Sequence, residues 1–114
     1  MTPEKRETSE TTDGKPPRPG YEAAGAPAPI NPATGQHEAY WILSPEDRAK
    51  GFVRPVQQEY VHAACGGKTS MGLAIAETYA RQPDYYGATM CVHCGGHFPV
   101  GEFIWAGSNQ KVGS

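Results

Sequence analysis

Two hexapeptides with the same ligand spacing constrain the fold of this chain more than any other feature. HAACGG at residues 62–67 and CVHCGG at residues 91–96 each place two soft-metal ligands around two spacer residues and end in two glycines. All three cysteines of the chain lie in these two segments. Two ligands with this spacing can bind one zinc ion from a tight turn, a zinc knuckle, and zinc takes four such ligands in a tetrahedron. The sequence therefore predicts that two knuckles converge on one zinc ion, with glycines that allow the sharp reversal of the chain.

The predicted zinc ligands are one histidine and three cysteines: His62, Cys65, Cys91 and Cys94. His97 lies three residues beyond Cys94 and is the alternative to His62 as the nitrogen ligand. The repeat of the hexapeptide favours His62. A site with four protein ligands has no open position for water or substrate, which is typical of structural zinc. Since a mixed set of thiolate and imidazole ligands favours zinc over iron, we expect one structural zinc ion as the cofactor.

The composition divides the chain into an arm and a domain. Residues 1–36 are rich in Pro, Gly, Thr and charge but contain few large apolar side chains, which predicts an extended or disordered arm. Residues 37–114 form the predicted zinc-binding domain. A core of this size often needs a metal ion, because it buries too little apolar surface to outweigh the chain entropy lost on folding.

The cysteine count and the hydropathy bear on the compartment. Three cysteines cannot all form disulfides within one chain, which favours thiolate ligands in a reducing compartment. No apolar segment has the length of a transmembrane helix, and the N-terminal sequence lacks the apolar segment of a signal peptide. We therefore expect a cytoplasmic protein without a membrane partner.

The remaining patterns predict a small α+β domain with short strands and one central helix between the knuckles. SPEDRAKG at residues 44–51 has the capping serine, early proline and acidic first turn of a short helix. Residues 69–83 place Met71, Ile75 and Tyr79 on one face of an amphipathic helix of about three turns. EAYWIL, DYYGATM and GEFIWAGSNQKVGS predict strands, the last with a hairpin return.

An enzymatic alternative fits the sequence poorly. Zinc deaminases carry His-x-Glu and, further along the chain, Pro-Cys-x-x-Cys, in which the glutamate transfers protons. Here Ala64 occupies the position of the glutamate and Met90 that of the proline. Cys65 would also fill the coordination position that a catalytic water needs. We therefore expect a protein that is not an enzyme.

The stretch from HEAYWILSPEDRAKGFVRPV through MGLAIAETYARQPDYYGATMCVHCGGHFPVGEF resembles a group of small proteins from bacteriophages and prophages. The resemblance covers most of residues 37–114 and leaves the arm unmatched. It implies a zinc-ribbon-like or treble-clef-like domain and a phage or prophage origin, with the bacterial host cytoplasm or the virion as its location. It implies no particular activity or catalytic residue.

The expected function is that of a non-enzymatic protein-interaction module, such as a phage accessory protein in the virion or on a host complex. A closed metal site and many aromatic residues favour it, with Tyr85, Tyr86, Trp105 and Arg54 as candidate contacts to a protein partner. The alternative is a zinc-ribbon regulator that binds nucleic acid. The formal net charge of −2 counts against this alternative, which needs a continuous basic stripe. The residues that would form the stripe are Arg48, Lys50, Arg54, Lys68, Arg81 and Lys111.

Overall fold

Short antiparallel sheets and two helices make up the described part of the chain. The computed structural model describes residues 9–21 and 26–114. The strands are β1 (Ser9–Thr11), β2 (Trp41–Leu43), β3 (Glu59–His62), β4 (Lys68–Ser70), β5 (Ala88–Cys91), β6 (Gly96–Pro99) and β7 (Phe103–Trp105). The helices are α1 (Pro45–Arg48) and α2 (Leu73–Arg81), and a 3-10 turn covers Val100–Glu102. The prediction of a small α+β fold is confirmed.

Strand β3 is the centre of the main sheet. It pairs antiparallel with β4 on one side and with β7 on the other, so that Tyr60 lies opposite both Thr69 and Trp105. Side chains alternate between the two faces of a strand, which places Tyr60 and His62 on the same face. Both are buried, whereas Glu59 on the other face is exposed. The alternation therefore directs the histidine of the first hexapeptide into the protein.

Helix α2 begins later than the sequence pattern predicts. We expected a helix over residues 69–83 with its cap at Thr69 or Ser70, but residues 68–70 form strand β4. Pairing with β3 gives these residues backbone hydrogen bonds that a helix start would not provide. The helix starts after Gly72 and ends at Arg81, just before Pro83. No helix of the described residues is long and apolar enough to cross a membrane.

The predicted apolar face of α2 packs into the main hydrophobic core. Met71 and Tyr79 are buried there, and Ile75 is partly buried against the same cluster. Thr78 connects the helix to β2, because its hydroxyl donates to the Ala74 carbonyl and accepts a hydrogen bond from the Leu43 N–H at 3.2 Å. The helix therefore lies between the main sheet and β2.

Helix α1 follows the sequence prediction closely. The Ser44 hydroxyl accepts a hydrogen bond from the Asp47 N–H at 3.2 Å and caps the helix, and Pro45 occupies its first position. Arg48 at its end forms an ion pair with Glu77 of α2 at 2.6 Å. The cap stabilises the start of the short helix, and the ion pair connects this helix to the longer one.

Described parts of the predicted arm pack against the domain. Strand β1 pairs antiparallel with β2 across the predicted boundary at residue 36, and Ala26 and Ala28 are buried. Gly35 lies over the second hexapeptide, where a Cβ added to it would be 2.6 Å from the Gly95 carbonyl oxygen. Residues 1–8 and 22–25 of the arm lie outside the described residues.

Candidate metal centre

The predicted ligands lie at the tips of two hairpins. His62 is the last residue of β3, and Cys65 lies in the turn that leads to β4. Cys91 is the last residue of β5, and Cys94 lies in the turn that leads to β6. Each hexapeptide is therefore the turn of one hairpin, and α2 lies between the two hairpins in the chain.

The two turns repeat each other in backbone conformation. The Gly66 N–H donates to the His62 carbonyl at 2.7 Å, and the Gly95 N–H donates to the Cys91 carbonyl at 2.9 Å. Both glycines have φ of 73°, in the left-handed region that glycine adopts without a Cβ clash. The repeat in sequence thus corresponds to a repeat in structure, and the first glycine of each pair is the one that the turn requires.

The four ligand side chains converge on one point. One ligand atom from each of His62, Cys65, Cys91 and Cys94 lies within 4.8 Å of all the others. The Cys65 and Cys91 sulfurs are 3.6 Å apart, and the Cys94 sulfur is 3.5 Å from His62 Nδ1. All three cysteines are free thiols. This cluster of one imidazole and three thiols can hold a metal ion.

His62 is the most firmly held member of the cluster. Its side chain is only 2% exposed, and its ring stacks on Phe103 at a centroid distance of 4.5 Å and lies 4.6 Å from Phe98. Nε2 makes a 2.8 Å hydrogen bond to a carboxylate oxygen of Glu102. This contact leaves Nδ1 directed at the sulfurs, which is the orientation that a metal ligand needs.

Glu102 is a residue of the candidate site that the sequence did not indicate. Metal-binding histidines commonly donate their second ring N–H to a carboxylate, which orients the ring and makes the other nitrogen a better ligand. Glu102 occupies this position although it lies 40 residues beyond His62. The 3-10 turn before β7 places it there, since His62 pairs with Phe103 across the sheet. No local motif marks such a residue.

The protonation of the metal-free cluster follows from its hydrogen bonds. The hydrogen bond to Glu102 raises the pKa of His62 to about 9. Burial raises the pKa of Cys91, but the Cys94 N–H and the neighbouring thiols donate to its sulfur and lower the pKa to about 7. Hydrogen bonding to Cys65 and burial raise the pKa of Cys94 to about 11. Cys91 is therefore the easier of the two to deprotonate.

The two other histidines near the second turn lie outside the cluster. His97 Nε2 bonds the Tyr40 hydroxyl at 2.8 Å, and its ring packs against His37 at a centroid distance of 5.0 Å. Burial and the neighbouring His37 lower the pKa of His97. His93 is exposed and its Nε2 lies 3.1 Å from the Lys68 carbonyl. The geometric cluster thus contains His62 and not the alternative, His97.

Most of the predicted partner contacts are buried, which corrects the expectation of exposed aromatic anchors. Tyr85 is 1% exposed and Trp105 is 8% exposed, because both pack into hydrophobic clusters of the core. Tyr86 is partly buried against both clusters, and its hydroxyl donates to the Trp41 carbonyl. Only Arg54 is exposed as predicted. These three aromatic residues therefore belong to the core rather than to a free surface.

The predicted basic stripe is partly neutralised by carboxylates. Arg48 pairs with Glu77, Lys50 pairs with Asp47 at 2.8 Å, and Lys68 lies 3.8 Å from Glu59. Nucleic-acid binding depends on cations that remain free to neutralise phosphates. The ion pairs therefore weaken the argument for a nucleic-acid surface.

Comparison with known proteins gives no assignment. The sequence matches no protein-family model, and neither the curated proteins nor the solved structures contain a match to it. The function must therefore be argued from the site and the surface.

Proposed function

We propose that the four-residue cluster binds one zinc ion and that each hairpin tip acts as a zinc knuckle. With Zn–S bonds of about 2.3 Å and a Zn–N bond of about 2.0 Å, a tetrahedron has sulfur–sulfur edges of about 3.8 Å and sulfur–nitrogen edges of about 3.5 Å. Two of the six separations between ligand atoms, 3.6 Å and 3.5 Å, match these edges, and all six lie within 4.8 Å. This match is the observation that carries the proposal.

The proposed role of the zinc is structural. Four protein ligands fill a tetrahedral zinc site and leave no position for a reacting water. The hairpins that carry the ligands are far apart in the chain, since Cys65 and Cys91 are 26 residues apart. The ion would therefore cross-link the main sheet to the second hairpin. Because the core is small, metal binding would supply much of the free energy of folding.

A domain that is stabilised by zinc, with no coordination position open for catalysis, is suited to a role in protein binding. We place the contact surface on residues 51–56. Phe52 and Val53 are 45% and 56% exposed and Val56 is 37% exposed, which brings three apolar side chains together in one short segment. The N–H groups of Val53 and Arg54 both donate to the Ala80 carbonyl at the end of α2, which anchors the segment. An anchored apolar segment of this kind is suited to contact another protein.

The charge beside this segment indicates the chemistry of the partner. Arg54 and Arg81 donate to backbone oxygens, and in the described part of the chain neither forms an ion pair with a side-chain carboxylate. Their charges remain available to a partner. The surface therefore fits an apolar protein segment that carries carboxylates, because such a segment complements both the exposed side chains and the arginines.

Metal content tests the first part of the proposal. Native mass spectrometry with elemental analysis should find one zinc per chain, and Cys91→Ser should lose both zinc and the folded state. His97→Ala is the matched control, because His97 lies beside the second turn but outside the cluster, and it should keep zinc. If His62→Ala keeps zinc while His97→Ala loses it, the ligand assignment is wrong.

Peptide selection on the zinc-loaded protein tests the second part. A random peptide library should yield binders that combine apolar side chains with Asp or Glu. Phe52→Asp should abolish their binding, whereas Leu73→Asp, which replaces another exposed apolar residue outside the segment, should leave it unchanged. Selected peptides without carboxylates, or peptides equally sensitive to both variants, would contradict the assigned surface.

A further inference from the structure

A cavity of about 210 Å³ lies beside helix α2, and none of the four cluster residues lines it. It is bounded by Met71 and Ile75 from the helix region, by Met90 from β5, and by Gln36 and Tyr40 from the described part of the arm. Small-molecule sites in proteins are typically concave and mostly apolar, with a few polar groups. A cavity of this size in a domain this small is therefore a candidate binding site.

The lining of the cavity is aromatic and uncharged. Four tyrosines contribute to it, Tyr40, Tyr60, Tyr79 and Tyr86, and none of the lining residues carries a formal charge. Burial raises the pKa of Tyr60, Tyr79 and Tyr86, which keeps these hydroxyls neutral. A charged ligand would lose its hydration in such surroundings without gaining an ion pair. The lining therefore selects against charged molecules.

The polar groups deep in the cavity are already paired. The Tyr60 hydroxyl donates to the Met90 carbonyl, and the Thr89 hydroxyl donates to Tyr60. At the rim, the exposed Ser70 hydroxyl and the Gln36 side-chain amide have no hydrogen bond to another described residue. A ligand would thus meet apolar and aromatic walls inside and free hydrogen-bonding groups at the mouth.

We propose that this cavity binds a small uncharged molecule with one aromatic ring and one hydrogen-bonding substituent. An engineered cavity of about 150 Å³ accommodates benzene, so a cavity of this volume has room for a substituted ring. The tyrosine rings and the sulfurs of Met71 and Met90 offer edge-to-face and sulfur–aromatic contacts to it. The substituent would face Ser70 and Gln36.

Ligand-observed NMR and calorimetry on the zinc-loaded full chain test the site, with p-cresol as the probe. We expect p-cresol to bind with a Kd on the order of 1 mM, and benzoate, which has the ring but a negative charge, to bind at least about 10-fold more weakly. Hexanol tests the aromatic preference, because it has a hydroxyl and a similar number of heavy atoms but no ring. Binding of hexanol or benzoate as tight as that of p-cresol would overturn the proposed ligand class.

Two variants of α2 locate the binding site. Ile75→Trp places a larger side chain in the lining of the cavity, and the loss of space should weaken p-cresol binding at least about 10-fold. Leu73→Trp makes the same kind of change on the same helix outside the lining, and it should bind like the wild type. Circular dichroism and zinc content serve as the check that both variants are folded. No binding by the wild type, or equal binding by folded Ile75→Trp, would refute the site.

Discussion

Zinc binding should release about two protons per ion near pH 8. Without a bound metal ion the pKa of His62 is about 9 and that of Cys94 is about 11, so both groups hold most of a proton at this pH. Both must lose it to bind zinc, whereas Cys91, with a pKa of about 7, is largely deprotonated already. Protons therefore compete with the metal, and the zinc affinity rises with pH.

The slope of this dependence follows from the proton count. Each released proton multiplies the affinity by about ten per pH unit, so two protons give about 100-fold between pH 7 and pH 8. Above pH 9 His62 no longer contributes, and the slope should fall by about one proton. In acid the same competition releases the metal.

Competition with a chelator of known zinc affinity, measured at several pH values, gives the slope of the logarithm of the zinc affinity against pH. A pH-indicator dye in weak buffer measures the number of protons released when zinc binds. Glu102→Gln is the matched variant, because it replaces the carboxylate acceptor, whose hydrogen bond raises the pKa of His62, with a neutral amide oxygen that accepts a weaker hydrogen bond. Its slope near pH 8 should be smaller by about one proton. A wild-type slope below one, or no change in the variant, would refute the assigned protonation states.

Three further predictions concern stability, measured by urea unfolding of the zinc-loaded protein. Gly72→Ser should raise the free energy of unfolding by about 0.5–1 kcal/mol, because α2 has no side-chain cap at Gly72. Gly72 has φ of −65°, and a Cβ added to it would meet no atom within 4 Å. A lower free energy of unfolding would contradict this prediction. Thr78→Val should lower the free energy of unfolding by about 1–3 kcal/mol, because it leaves the Leu43 N–H of β2 without an acceptor. Thr78→Ser is the control, since it keeps the hydroxyl. Gly35→Ala should lower the free energy of unfolding more than Gly14→Ala does. Both glycines have positive φ, but only a Cβ at Gly35 would lie close to the Gly95 carbonyl. Equal decreases in the two variants would show that the contact with Gly95 does not affect stability.

Features that depend on local spacing can be predicted from the amino-acid sequence of this chain. The four residues that converge in the candidate metal centre were predicted because two ligands of one ion need only a fixed number of spacers and a glycine that can adopt positive φ. Helix α1 was predicted with its cap because Ser44 and Pro45 act within one turn. The small α+β class followed from the alternation of short helix and strand patterns.

Features that depend on contacts between residues distant in the chain follow from the tertiary fold. It selected His62 over His97, because strand pairing brings Glu102 and Phe103 to the imidazole from 40 residues away. Pairing of β4 with β3 moved the start of α2, and packing of distant aromatic rings buried Tyr85 and Trp105. A local sequence pattern shows which side chains could act as ligands, caps or core residues. Whether a side chain is buried, or a segment is paired in a sheet, depends on which distant segments of the chain pack against it.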